Sequence, residues 1–316
     1  MALFGRRKNI PFIALGILFI ANILVWTVVF DLNRPRVLEV NFFDVGQGDA
    51  IFVETPKRTQ ILIDGGPSSK IIEKLGKEMP FYDRSIDLII STHPDSDHLS
   101  GLIDVLKRYK VNLVAFNGAK SLRPEFIEWE SQILKKKIPT KVLKKSQRIL
   151  IGDNLYFEIL APLENFEGRE VSDFNTSSIV TKMVFGKNSF LFTADAPQSI
   201  EEKLVKENAN LDYNPPTAHQ GIDLNSDILK VSHHGSRTAT TESFLKSVTP
   251  EIAVIQVSGD QKVKGKDCDN KERNQYGHPH CEVLERLEGY GIKVFRTDKD
   301  GDIKIVSDGN NLRITN

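Results

Sequence analysis

Six of the seven histidines fall in three short segments, and two of those segments directly follow apolar runs. In Ser91-Thr92-His93-Pro94-Asp95-Ser96-Asp97-His98, four metal-binding side chains occur within six residues. His93 and Asp95 alternate along extended chain and can face one way. Asp97 and His98 open the helical pattern that follows and can turn toward a second point. That spacing suits two adjacent cations. A plain polar loop would need only Asp97 as a helix cap, and capping requires no histidine. Asp195 closes the apolar run Phe190–Thr193, where a carboxylate can bridge two ions or, equally, cap the helix after Pro197. His233 and His234 follow Ile228–Val231 and precede Gly235 and Ser236, which let the chain turn tightly. In Tyr276-Gly277-His278-Pro279-His280, a histidine can hold an anionic oxygen of a substrate. Asp49 and Asp64 lie in Gly-rich turns at strand ends, and Asp64 can orient a ligand histidine as an acceptor. No Gly-Lys-Ser/Thr follows either turn, which excludes a Walker loop. Ser236 beside His234 lacks the strand–GxSxG–helix context of a serine nucleophile.

The elements that must carry these residues are legible as alternating patterns. Val37–Val45, Ala50–Thr55 and Thr59–Asp64 read as a meander of strands, and Ile86–Ser91 as a buried strand. His98–Tyr109 has apolar residues at 99, 102, 103 and 106, a helix stripe. Asn112–Phe116 reads as a strand and Pro124–Lys137 as a helix opened by its proline. In the second half, Leu155–Leu160, Ser177–Phe185, Ser189–Thr193, Ile228–Val231, Ile252–Val257, Ile292–Arg296 and Ile303–Val306 read as strands. Helices are expected at Ser69–Met79, Pro197–Asn208, Thr241–Ser247 and Pro279–Gly289, with a loop over Asn210–Ser226. Strands in consecutive runs mixed with helices fit an α/β layer fold with mixed sheets.

Taken together, FFDVGQGDA (42–50), ILIDGG (61–66), STHPDSDHLSG (91–101), FNTSSIV (174–180), FLFTADA (190–196), LKVSHHGS (229–236) and YGHPH (276–280) resemble the metallo-β-lactamase superfamily, in its ComEC-like branch. The stretches keep the family's order and cover essentially all of 37–306. The resemblance implies an αββα metallo-β-lactamase sandwich with two divalent metal ions at one edge of the sheets. It implies a first site from His93 and Asp95 and a second from Asp97 and His98. Asp195 would bridge them, and His233 would complete the second site. His234 would touch substrate, with the two histidine roles open to reversal. Asp97, His234 and His278 are the expected catalytic residues. Asn175, Ser178, Lys230, Ser236 and Tyr276 are expected to face substrate, with Asp49 and Asp64 behind the ligands. Asp95 stands where HxHxDH would have histidine, and Asn175 where a third-site histidine is often found. These hard ligands move the expectation from Zn²⁺ toward Mn²⁺. Ala194 replaces a glycine usual in the branch, with little effect expected.

The 316 residues carry 42 Lys+Arg and 42 Asp+Glu. Arg6, Arg7 and Lys8 stand before any acid, so the remainder is mildly acidic. A hydrophobic share of 40% and a charged share of 27% are globular values and exclude disordered or coiled-coil classes. The balance argues against a polycationic nucleic-acid binder but leaves room for local patches. Ile10–Phe30 is 21 residues without a charge, which as a helix spans about 31 Å, a bilayer's hydrocarbon thickness. No small-residue cleavage site ends it, so a single-pass signal anchor is expected, with residues 1–9 cytoplasmic, 31–36 a linker and the 37–316 domain outside. An outside location permits a disulfide between Cys268 and Cys281, although two idle cysteines fit equally well. The expected activity is DNA phosphodiester hydrolysis outside the cytoplasm, possible in DNA uptake with a separate channel protein as partner. Basic stretches 135–148 and 262–273 would guide the DNA backbone. The alternatives are hydrolysis of a small phosphodiester, nucleotide or lactam, and a catalytically dead, membrane-tethered DNA-binding subunit. Nothing in the sequence sets the oligomeric state.

Overall fold

The computed structural model describes residues 10–32, 37–152, 154–209, 222–259, 263–266, 272–273 and 276–315, with side chains except at 31–32 and 263–273. The chain divides into two compact units between Arg36 and Val37. The first contains helix α1 (Ile10–Leu32), whose Ile10–Phe30 portion is long and apolar enough to cross a membrane, with a mean hydropathy of 2.5. Its apolar side chains are exposed, the opposite of a core helix.

The second unit opens with β1 (Leu38–Phe42), β2 (Ile51–Glu54) and β3 (Gln60–Ile63), then α2 (Lys70–Glu78) and β4 (Ser85–Ser91). It continues through α3 (Ser96–Arg108), β5 (Lys110–Phe116), α4 (Pro124–Lys136) and β6 (Thr140–Val142). The chain then builds β7 (Arg148–Gly152), β8 (Leu155–Ala161), β9 (Val180–Phe185), β10 (Asn188–Phe192), α5 (Gln198–Asn208), β11 (Ile228–Lys230), α6 (Glu242–Val248) and β12 (Ile252–Ile255). A hairpin of β13 (Val263–Lys266) and β14 (Glu272–Arg273) precedes α7 (Cys281–Gly289), β15 (Lys293–Arg296) and the single turn α8 (Thr297–Asp300). The chain ends in β16 (Ile303–Ser307) and β17 (Leu312–Thr315).

Two mixed sheets result, ordered β17-β16-β1-β2-β3-β4-β5-β6 and β15-β12-β11-β10-β9-β8-β7. Both faces of each sheet are covered, so the strands alternate between two apolar environments rather than between apolar and polar. Ile61, Ile63, Phe190 and Phe192 point into the layer between the sheets, beside Val40, Phe42 and Phe157. Leu62 points instead into a second core with Leu75, Leu102, Leu106 and Trp129 from the helices on its face. Leu191 points into a third, with Leu204, Phe244 and Leu287. Helix, sheet, sheet, helix is the expected αββα order, and β16 and β17 return the last strands to the first sheet.

Three expectations shift. The strand placed at Ser177–Phe185 starts only at Val180, because Phe174–Ser177 winds into a 3-10 turn. β6, β7, β13, β14, β17 and α8 were not expected. Of the Asn210–Ser226 loop, 210–221 lie outside the described residues.

Candidate metal centre

Every site segment leaves a strand at the same edge. Asp64 follows β3, Thr92 and His93 follow β4, Asp195 follows β10, His233 and His234 follow β11, and Gln256 follows β12. Within each sheet those strands run parallel, in register Ile63↔Ile90 and Phe192↔Lys230. Their carboxyl ends therefore open on one crevice, the usual ligand position in such sheets. Asp49 reaches the same edge on the β1–β2 loop.

Close backbone packing fixes the segments. Gly65 N–H donates to His98 O at 2.8 Å, and Gly101 N–H donates to Gly66 O at 2.9 Å. A Cβ on Gly101 would lie 1.9 Å from Gly65 O, and one on Gly48 would lie 2.0 Å from Asp97 O. The glycines of GQGD, DGG and HLSG are thus contact points that bring the acids and histidines together. Four non-glycine residues of the site adopt positive φ: Asp64 (56°), Ala194 (48°), His233 (49°) and His234 (54°). This conformation is costly for L residues and concentrates at functional sites.

The histidines are aimed by their Nδ1 atoms. His98 Nδ1 lies 2.9 Å from Asp64 Oδ2, and Asp64 also accepts from Thr92 N–H at 2.8 Å and Thr92 Oγ1–H at 2.6 Å. His234 Nδ1 lies 2.9 Å from Gln256 O, and His93 Nδ1 lies 3.0 Å from Thr92 Oγ1. The Nε2 atoms of all three are left buried without hydrogen-bond partners, as is Asp195 Oδ1. Asp195 Oδ2 lies 3.3 Å from His98 Nε2 and 3.5 Å from His234 Nε2, and Asp97 Oδ2 lies 3.3 Å from His234 Nε2. Donor atoms of Asp97, His98, Asp195 and His234 all lie within 4.8 Å of one another. The His93 ring centroid is 4.1 Å from that of His98.

The electrostatics follow from the crowding of acids around the rings. Burial lowers the His234 pKa, yet Asp195, Asp49 and Asp97 raise it to about 10. His98, also lowered by burial, is raised well above its ordinary value by Asp195 and Asp49. Burial and the neighbouring His98 push His93 down to about 4, and burial with His234 and His233 pushes His278 down to about 3. Carboxylates outnumber the cations that could balance them, so the imidazoles next to the acids take up protons. Orphaned imidazole nitrogens, converging carboxylates and excess buried negative charge are the donor set of a divalent cation.

The site differs from expectation at several positions. His234, not His233, joins the Asp97/His98/Asp195 cluster; His233 Nε2 is 3.8 Å from Asp195 Oδ2 and its side chain is 26% exposed. Asp95 lies outside the cluster, with its Oδ1 accepting from Ser96 N–H at 2.9 Å and paired with Arg123. Lys230 does not face substrate. It is fully buried, paired with Asp49, and donates to Ala194 O at 2.9 Å. Asn175 sits in the 3-10 turn with its N–H on Asp173 Oδ1. Ser178 Oγ is buried and unpartnered beside Ile179, whose N–H donates to Thr92 O at 3.1 Å. Ser236 Oγ lies 3.0 Å from Thr238 Oγ1. Exposed Tyr276 stacks on His278, whose ring lies 5.5 Å from that of His233. The sequence reading missed Thr92, Arg123 and Gln256. Gln256 is the polar residue ending an apolar strand, and it donates to Phe43 O and Ala50 O at 3.1 and 2.9 Å. Cys281 is disulfide-bonded, and Cys268 lies outside the described residues.

Residues 43–259 match the family model described as the metallo-beta-lactamase superfamily. The chain belongs to the metallo-β-lactamase superfamily. The chain is 30% identical over 283 residues to ComE operon protein 3 of Bacillus subtilis (strain 168), covering 84% of this chain and 32% of that one. It is 29% identical over 269 residues to competence protein ComA of Neisseria gonorrhoeae, with the same coverage of 84% and 32%. The chain thus spans about a third of the length of the curated relatives it matches. Among solved structures it is similar to the metallo-β-lactamase fold protein YhfI of Bacillus subtilis, with a TM-score of 0.50, 10% identity and coverage of 82% of this chain and 96% of that one. It is also similar to CmlA, a diiron β-hydroxylase of Streptomyces venezuelae, with a TM-score of 0.51, 15% identity and coverage of 83% and 53%. At these identities the two structures support the shared fold. The fold and donor set make the chain a member of a metal-dependent hydrolase superfamily with a centre suited to divalent cations.

Proposed function

We propose that this chain hydrolyses phosphodiester bonds of DNA outside the cytoplasm, anchored by a single membrane span. The convergence of His98, His234, Asp97 and Asp195 carries the hydrolytic reading. The competence-named relatives support DNA as the substrate and uptake as the setting.

His93, His98, His234, Asp97 and Asp195 would hold the cations, and this mix of imidazoles and carboxylates suits either manganese or zinc. Divalent cations, when bound, lower the pKa of water and neutralise charge developing on phosphoryl oxygens. Asp97, with 30% side-chain exposure against 4% for Asp195, is the cluster carboxylate open to an attacking water and orients it. His278, on the His233 side, meets the oxyanion. Asp64 and Gln256 keep the His98 and His234 rings turned so that their Nε2 atoms serve the centre. Arg6, Arg7 and Lys8 ahead of the apolar helix hold the N-terminus inside, and a separate channel protein would move the surviving DNA strand.

The test is cleavage by the full chain in detergent with Mn²⁺, Zn²⁺ or EDTA. The substrates are single- and double-stranded DNA, a cyclic dinucleotide and a chromogenic lactam. Metal-dependent DNA cleavage lost in His98→Ala supports the reading. Lactam hydrolysis without DNA cleavage, or full activity in His98→Ala, refutes it.

A further inference from the structure

We infer that the β5–β6 edge of the first sheet is a track for a polyanionic strand, so that the substrate is a nucleic-acid polymer gripped well away from the bond that is cut. This rests on the phosphodiesterase reading above and adds the path by which the substrate reaches the centre.

β6 is the outermost strand of its sheet, and of two concavities one is lined by the start of β5 and the turn that leads into β6 and the other by β6 itself. One, of about 490 Å³, is lined by Arg108, Lys110, Lys136 and Lys137, with no acid in its wall. The other, of about 560 Å³, is lined by Lys120, Lys141 and Lys144, with Glu167 as its one acid. Three of these cations have partners: Lys144 pairs with Glu167 at 2.9 Å, Lys120 pairs with Glu130, and Lys136 donates to Lys107 O at 3.1 Å. Arg108, Lys110, Lys137 and Lys141 have no carboxylate partner among the described residues. Helix dipoles favour bases in the last turns of α3 and α4, which accounts for Arg108 and Lys136. Lys110 and Lys141 lie on strands, where no such field calls for them. A single lysine would protect the edge strand from pairing, so the number of cations exceeds what that role needs.

The band also leads somewhere. β5 runs parallel to β4, so the acid-free concavity at its Lys110 end is remote from the metal edge. At the other end Phe116, which lines the nearer concavity, pairs with Ser91, two residues before His93. Asn117 Nδ2–H then donates to Ser177 O at 2.9 Å, and Arg123 pairs with Asp95 while lying 4.7 Å over the Phe174 ring. Seven residues of β5 cover about 23 Å at ~3.3 Å each, the axial length of roughly six or seven nucleotides in one strand of a duplex and of fewer in an extended single strand. A small phosphodiester at the centre cannot touch the far cations; a polymer can. The second basic stretch expected to guide DNA, 262–273, has no described side chains.

The experiment compares the full chain with its Lys110→Gln/Lys137→Gln/Lys141→Gln variant, both in detergent with Mn²⁺. Substrates are bis(p-nitrophenyl) phosphate and oligothymidylates from two to roughly twenty nucleotides. For the unaltered chain, kcat/KM should rise with length over the first several nucleotides and then level. The variant should lose about tenfold on the longest substrate, and its log–log salt slope should shrink by about 2. On the small phosphodiester, with unchanged metal content, it should stay within about twofold. Equal losses on long and short substrates, or length-independent kcat/KM in the unaltered chain, overturn the track while leaving the phosphodiesterase reading intact. Failure to cleave either substrate overturns both. Polyglutamate displacing the longest oligonucleotide at equal charge would assign the edge to an acidic protein and also overturn it.

Discussion

The buried ion pair Asp49–Lys230 joins the two sheets at the metal edge, so breaking it should be felt in stability as well as in the site. Both side chains are essentially inaccessible, at 3% and 0% exposure. Lys230→Met leaves the Asp49 carboxylate without its ammonium partner, facing only the His234 and His98 rings, and deletes the bond to Ala194 O. Removing one member of a buried pair costs about 3–5 kcal/mol, and a lost hydrogen bond about 1 more. For the 280 residues of Val37–Asn316, the unfolding entropy is about 0.6 kcal/mol/K, so 4–6 kcal/mol lowers Tm by about 7–10 °C. Asp49→Asn/Lys230→Met removes both charges together and should recover at least half of that, a coupling of about 2 kcal/mol or more. The assay is thermal unfolding of the full chain and the three variants in EDTA, so that metal loss does not contribute. Additive losses in the double variant would refute the reasoning. A Lys230→Met chain as stable as the original would also refute it and return Lys230 to the solvent side of the site.

His234→Ala should abolish binding at the four-residue cluster, measured by titration calorimetry with Mn²⁺, whereas His233→Ala should lower affinity by no more than about tenfold. The reverse ranking would exchange their roles. Ala194→Gly trades about 1–2 kcal/mol of left-handed strain against a similar loss of chain entropy. Its stability should therefore stay within about 1 kcal/mol of the original, and a loss above 2 in chemical denaturation would contradict the strain. Burial raises the Glu201 pKa above 4.5, although the Thr240 and Thr241 amides pull it down. A carboxyl raised on folding stabilises most below its unfolded pKa, and that benefit fades as pH rises through the folded value. Glu201→Gln keeps only one of the two acceptors and so lowers absolute stability, but it should flatten that decline, and an unchanged slope of unfolding free energy from about pH 4.5 upward would disprove it.

What the sequence made legible follows from what side chains alone can say. The clustered histidines marked the centre because metal-binding types at close spacing have few other uses. The resemblance, rather than spacing alone, made His93, Asp95, Asp97, His98, Asp195 and His233 the expected ligands; the structure gathers His93, Asp97, His98 and Asp195 and leaves Asp95 outside. The choice between His233 and His234 was not legible. Both adopt positive φ, and the extra turn sends the second imidazole, not the first, toward Asp195. Lys230 was expected to face substrate. Its buried partner, Asp49, stands 181 positions earlier, and only the pairing of the sheets brings the two together. β6 escaped notice because three residues, Thr-Lys-Val, carry no period, and β17 because its alternation is short and half-exposed.

The strain at the edge has one cause. The crevice lies where two sheets present strand ends face to face, and each chain must leave its strand, turn sharply and still deliver a side chain inward. Asp64 achieves this at φ 56° while accepting three bonds, from Thr92 N–H, Thr92 Oγ1–H and the His98 ring. Ala194 does so at φ 48° while its carbonyl accepts from the Lys230 ammonium and the His233 amide. The hydrogen bonds that hold the strained residues are the same ones that aim the ligands. Relaxing either turn would release an imidazole or a carboxylate from the centre. A glycine at 194 tolerates the turn, but only the bonds to its carbonyl fix where Asp195 points. For that reason the pairing of Lys230 with Asp49, rather than the residue at 194, should govern how tightly the cluster is held.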